Sequence, residues 1–142
     1  MAGILPWENR VFAQFARSAI NEKDIILHTK GLSEGNYCYT SDCITGLLTI
    51  LLNGENAEAY NVSNPEAHMT IAEMAKMVCK KFTNGKAKVI FDIPKENTFG
   101  YAADTKMKLS SDKLQTLGWK PEVGLEEAYR RLIMSMENCD ND

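Results

Sequence analysis

The stretch GLSEGNYCYTSDCITGLLTILL, residues 31–52, decides the fold. Asn36, Tyr37, Cys38, Tyr39 and Thr40 alternate aromatic with small polar side chains, which reads as a short strand carrying Tyr37 and Tyr39 on one face. Asp42 ends that strand. Ile44, Leu47, Leu48 and Leu51 then recur at helical spacing, so a buried helix is expected, with Asp42 capping its free N–H groups. Strand, acidic cap and apolar helix hold the polar loop from Gly31 to Gly35 beside a packed element, a favoured setting for a ligand. The same pattern also fits an ordinary structural strand and helix.

Upstream of this stretch, Val11, Phe12, Phe15, Ala16, Ala19 and Ile20 form one apolar face of a helix from about Arg10 to Ile20, with Asn9 as its cap. Asn9 and Arg10 stand where free N–H groups and the helix dipole favour negative charge, so they are candidates for holding a phosphate. Residues 25–29, IILHT, read as a strand, and the lone His28 in it is structural. Downstream, residues 57–62, AEAYNV, read as a third strand. Thr70 and Glu73 open a capping box, followed by Ile71, Met74, Ala75, Val78, Cys79 and Phe82 at helical spacing. Residues 87–93, AKVIFDI, read as a fourth strand that enters the longest irregular stretch, residues 94–105. Lys95, Glu96, Asn97, Tyr101, Asp104, Lys106 and Lys108 are candidates to line a ligand cleft there. Ser110 and Ser111 offer an N-cap for a short helix that Gly118 ends. A last helix starting near Gly124 places Leu125, Ala128, Tyr129, Leu132, Ile133 and Met136 on one face, and residues 138–142 are expected to fray.

The pattern is α/β: about four short strands in one small sheet, with about five helices packed mainly on one another, in the order helix, strand, strand, helix, strand, helix, strand, helix, helix. The 142 residues make a single domain, 1–142, large enough to bury a core without disulfides or metal. Sixteen basic against nineteen acidic residues, net −3, leave no basic stripe for nucleic acid and no polybasic membrane anchor. The four cysteines match no metal or redox spacing and are expected to be reduced, buried thiols. No signal-peptide pattern or long apolar run is present, so a soluble cytoplasmic chain is expected.

NYCYTSD at 36–42, EAYNVSN at 58–64, TIAEMAKMV at 70–78 and SSDKLQTLGWKPEVGLEEAYRR at 110–131, in that order, resemble the C-terminal part of the NAD-dependent epimerase/dehydratase family. These are the extended short-chain dehydrogenases that act on nucleotide-diphosphate sugars. The K-L-x-x-L-G-W-x-P run from Lys113 to Pro121 is the most specific piece. The resemblance implies the smaller, sugar-nucleotide-binding part of such an enzyme, without a complete Rossmann fold. NAD and the catalytic groups would belong to an N-terminal Rossmann domain working in cis or in trans. The residues four after Tyr37, Tyr39, Tyr60, Tyr101 and Tyr129 are Ser41, Cys43, Asn64, Thr105 and Ile133, so no tyrosine has the lysine that would lower its pKa. No Gly-rich strand-to-helix turn is present to cradle a dinucleotide. No catalytic, cofactor or metal residue is therefore assigned in this chain.

The resemblance also implies substrate contacts. Many family members carry an Arg just before the strand that NYCYTSD matches, where its planar fork grips the diphosphate, and this chain has Gly35 there. Losing such a bond costs roughly 1.5–3 kcal/mol, so binding of a nucleotide-diphosphate sugar is expected to be weak. Asn9 matches the family's phosphate-region Asn, and Lys95, Lys106 or Lys108 would substitute for a further basic residue. The substrate-binding candidates are thus Asn9, Arg10, Gly35, Tyr37, Tyr101, Lys106 and Lys108. The alternative is a non-enzymatic remnant serving protein interaction or self-assembly. On either reading, a missing Rossmann half uncovers an interdomain face of about 600–1,500 Å², and a homo-oligomer is expected to cover it.

Overall fold

The computed structural model describes residues 8–95 and 100–139, with the Cys139 side chain outside that description. The expectations for Glu96, Asn97 and residues 140–142 lie outside the described residues. The elements are α1 (Val11–Ile20), β1 (Ile25–Leu27), β2 (Glu34–Asn36), α2 (Thr40–Asn53), a 3-10 turn (Pro65–Ala67), β3 (His68–Thr70), α3 (Ile71–Phe82), β4 (Val89–Phe91), α4 (Asp112–Gln115) and α5 (Leu125–Cys139).

Three amphipathic helices make the core. α1 packs on α3 and α5, and α3 packs on α5. Their facing side chains include Phe15, Ala16, Met74, Ala75, Val78, Tyr129 and Ile133, all buried. The alanines of α1 and α3 let the backbones approach while Tyr129 and Met74 fill the space between them, as large beside small packing requires. α3 begins as its sequence dictates: the Thr70 side chain accepts from Glu73 N–H at 3.1 Å, and Glu73 Oε2 accepts from Thr70 N–H at 2.8 Å.

The strand number is as expected, but the strands do not form one sheet. β1 pairs in parallel with β4, Ile26 opposite Ile90, and β2 pairs antiparallel with β3, Gly35 opposite Met69. A single parallel bridge joins Glu34 to Lys106. The strand expected at 57–62 does not form; the third strand is instead His68–Thr70. Side chains, not a ladder, hold that segment: Asn61 Nδ2 donates to Ser110 O at 3.1 Å, Ser63 Oγ to Leu109 O at 3.2 Å, and Asn64 Nδ2 to Val123 O at 3.3 Å. The strand expected at 36–40 is displaced too, because β2 ends at Asn36 and the chain enters α2 at Thr40.

α2 departs furthest from expectation. Its cap is Tyr39 rather than Asp42, with no side-chain cap bond, and only Asp42 and Gly46 are buried along it. Ile44, Leu47, Leu48, Leu51 and Leu52 are exposed, the last two at 78%. The helix is tied down at its start by the Lys113–Pro121 run. Trp119 Nε1 donates to Asp42 O at 3.0 Å and to Thr45 Oγ1 at 3.2 Å. The Asp42 carboxylate accepts from Glu122 N–H at 3.1 Å and Val123 N–H at 2.9 Å. A Cβ at Gly46 would come within 3.2 Å of the Trp119 ring and 3.0 Å of Val62, so the indole lies against a position only glycine leaves open. α4 is brief, and Gly118, at φ +91°, turns the chain into Trp119.

Candidate functional site

A cavity of about 500 Å³ opens between the start of α1, the extended segment from Asn36 to Thr40, and the near side of α5. Tyr37 and Tyr39 both lie on its wall, and so do Asn36, Cys38 and Thr40, so the expected strand alternation does not sort these residues. Phe12 meets Tyr37 edge-on at 5.2 Å between ring centroids and lies over Tyr129 at 5.7 Å. Burial pushes both phenols, Tyr37 and Tyr129, above the usual tyrosine range, so at neutral pH they are protonated. They can donate hydrogen bonds but not abstract protons. Tyr129 is partly used already, its hydroxyl lying 3.1 Å from Met74 Sδ.

Charge sits at the rim. Arg10 Nη2 donates to Glu8 Oε2 at 2.8 Å, and Arg10 N–H to Glu8 Oε1 at 3.0 Å. The Arg10 side-chain bond holds the Glu8 carboxyl below its ordinary value, and Glu8 raises Arg10 in return. The Arg131 guanidinium lies 5.4 Å from the Tyr39 ring centroid and donates from Nε to Glu127 Oε1 at 2.8 Å. An anion entering here meets the Arg10 guanidinium, which is held by a carboxylate it would have to displace. The floor is fixed by Asn36, whose Nδ2 donates to Asn64 O at 3.3 Å and whose Oδ1 accepts from Leu109 N–H at 2.6 Å.

The structure divides the sequence candidates. Arg10 and Tyr37 line this cavity. Asn9 is not the α1 cap: Arg10 takes that position without a side-chain bond, and the Asn9 carbonyl accepts from Gln14 Nε2. Gly35 lies in β2, two residues before Tyr37, and a Cβ added there meets nothing within 4 Å. Tyr101 lines a second, more polar cleft with His28, Lys30, Pro94 and Asp104. Lys106 is bridged to Glu34 and Lys108 is exposed, so neither joins the cavity wall. Phe12, Asn36, Tyr39, Tyr129 and Leu132 are also on the wall, and their sequence pattern marks them as core or strand residues and not as ligand contacts.

Among the described residues no three His, Cys, Asp or Glu side chains are grouped to hold a metal ion. Nor do the described residues form a Gly-rich strand-to-helix turn of the kind that cradles a dinucleotide. Neither parallel strand runs into a helix N-terminus: β1 leads to β2, and β4 leads into the long irregular stretch. The glycines with left-handed φ, Gly31, Gly85, Gly100 and Gly118, all stand elsewhere than in a strand-to-helix turn. Among the described residues no helix is long and apolar enough to cross a membrane.

The helical core and paired short strands superpose on part of solved structures named as a sugar-nucleotide epimerase and a sugar-nucleotide dehydratase. UDP-glucose 4-epimerase of Thermotoga maritima, solved with UDP-glucose, superposes with a TM-score of 0.74 at 20% identity, over 94% of this chain and 41% of its own. The dTDP-glucose 4,6-dehydratase of Bacillus anthracis, solved with NAD, gives 0.74 at 15% identity over 99% and 43%. In sequence, mouse dTDP-D-glucose 4,6-dehydratase is 26% identical over 134 residues. UDP-glucuronic acid decarboxylase 3 of Arabidopsis thaliana is 29% identical over 120 residues. No family profile matches the chain. The chain spans 36% of the length of the mouse enzyme and 33% of the plant enzyme. It corresponds to the C-terminal part of NAD-dependent nucleotide-sugar epimerases and dehydratases, and the α/β class expected from its residues holds.

Proposed function

We propose that this chain is the substrate-binding segment of an NAD-dependent nucleotide-sugar epimerase or dehydratase, not catalytically competent alone, with NAD held by a Rossmann half in cis or in trans. The observation that carries the reading is the cavity in which Arg10, Tyr37 and Tyr39 converge. Its aromatic wall suits the flat face of a nucleotide or sugar, its protonated phenols suit hydroxyl or phosphate oxygens, and its rim guanidinium suits a diphosphate. The one carboxylate on the wall, Glu8, is engaged with Arg10, and the buried phenols are protonated, in keeping with a binding role. Affinity is low on this reading, because Gly35 provides no guanidinium and Arg10 and Arg131 are engaged with Glu8 and Glu127.

The need for a second half is supported by α2. Five large aliphatic side chains at i, i+3, i+4, i+7 and i+8 face solvent on a helix whose one acidic residue is buried. A stripe of that kind is a covered surface in the working protein. A Rossmann half covers it in the complete assembly; without that half, two copies of this chain pair through it as a homo-oligomer. A cytoplasmic location goes with this reading.

Calorimetric titration with UDP-glucose and dTDP-glucose tests the proposal. Saturable heat that disappears in a Tyr37→Ala variant supports it; no heat from either ligand in a folded sample removes it.

A further inference from the structure

Cys38 and Cys43 bracket the start of α2. With Tyr39 as N-cap, Cys38 is the residue before the cap and Cys43 the fourth of the helix, the two positions whose side chains meet in a hydrophobic staple. Here the staple is made of two thiols. Cys43 Sγ lies 3.7 Å from Cys38 O, and both residues are half-buried, whereas Cys79 is buried in the core. The expectation of uniformly buried thiols is corrected on this point. Cys38 also lines the cavity, between Tyr37 and Tyr39.

We propose that Cys38 and Cys43 are a redox modification site that a low-molecular-weight disulfide closes into an intramolecular bond at the cavity wall. The proposal stands independently of the function proposed above. The Cys43 thiolate attacks one sulfur of the small disulfide, forming a mixed disulfide and releasing one thiolate. The Cys38 sulfur, losing its proton to water, then attacks Cys43 Sγ and releases the second thiolate. Two protein thiols are oxidised and one small disulfide is reduced to two thiols.

The order follows from the surroundings. Burial, the Cys43 thiol and the charge of Asp42 push the Cys38 thiol up to about 12, making it the slower nucleophile at first. Capping Cys43 removes that thiol's part of the shift, so the first step eases the second. Closure ties the extended segment that carries Tyr37 and Tyr39 to the first turn of α2 and fixes one side of the cavity.

The test is to treat the reduced chain with oxidised glutathione, quench in acid, alkylate under denaturing conditions, and map peptides by mass. The expected product has Cys38 and Cys43 joined, with two hydrogens lost and no glutathione on the peptides that carry them, and Cys79 still alkylated. Cys38→Ser should stop at a glutathione adduct on Cys43. Wild-type chain that retains glutathione on Cys43 without closing, or that leaves both cysteines open to alkylation, overturns the proposal, and this wild-type result needs no variant to fold.

Discussion

Replacing Asp42 by alanine tests how α2 is anchored. The Asp42 carboxylate accepts two backbone N–H groups, from Glu122 at 3.1 Å and Val123 at 2.9 Å, and only 5% of the residue is exposed. Alanine leaves both donors unpaired, each costing about 1–3 kcal/mol when buried. The Val123 donor is buried and takes the upper part of that range, while the half-buried Glu122 donor reaches water and takes the lower part. The expected loss is about 3 kcal/mol in all, or roughly 10 °C in Tm for a domain of this size. Both donors use the same oxygen, Oδ2, so Asp42→Asn, which keeps a carbonyl oxygen there, should lose well under half as much. Urea unfolding followed by circular dichroism gives the free energy, and indole emission reports whether Trp119 has left its place against Gly46. An Asp42→Ala chain within about 0.5 kcal/mol of the parent, the range of ordinary surface changes, would refute the assignment of Asp42 as anchor.

Three more outcomes follow from particular contacts. Gly35→Arg points into open space, so it should fold normally and tighten nucleotide-diphosphate sugar binding about ten- to a hundredfold by calorimetry; unchanged affinity would remove the diphosphate from that side of the cavity. Leu51→Glu, at a position 78% exposed, should leave the fold intact and convert an associating chain to monomer by light scattering at high concentration. A parent chain that is already monomeric under those conditions contradicts pairing through α2. Thr70 N–H and hydroxyl hold the Glu73 carboxyl below 4.5, its ordinary value, so its contribution to stability is present above that pH and fades as pH falls through the lowered folded value. Acid titration of Glu73→Gln, followed by circular dichroism, should lack that component.

What the sequence made legible was local. The apolar faces of α1, α3 and α5 announced themselves at helical spacing because those helices pack on one another within this chain, and the Thr70–Glu73 box fixed its helix by nearest-neighbour bonds. The alternation at Tyr37 and Tyr39 suggested a strand there, but β2 ends at Asn36 and both faces of residues 36–40 line the cavity. The misread elements depend on partners far away in sequence. Asp42 looked like a cap, yet its acceptors are spent on N–H groups some eighty residues later. AEAYNV has strand composition but no strand beside it among the described residues, so its side chains bond elsewhere, Asn61 to the Ser110 carbonyl and Glu58 to Lys113 of α4. The leucines of α2 have the spacing of a buried helix, and periodicity carries no information about which chain does the burying. Lys106 and Lys108, candidates by their place beside the irregular stretch and by the resemblance, are not on the cavity wall.

The central claim is that the cavity between α1 and α5 binds a nucleotide-diphosphate sugar, and amide chemical-shift mapping during titration with UDP-glucose tests it most directly. The account predicts shifts concentrated at Arg10, Asn36, Tyr37, Tyr39 and Leu132 that saturate together. Shifts confined to the second cleft, at Lys30, Tyr101 and Asp104, or no shifts at millimolar ligand, would contradict it.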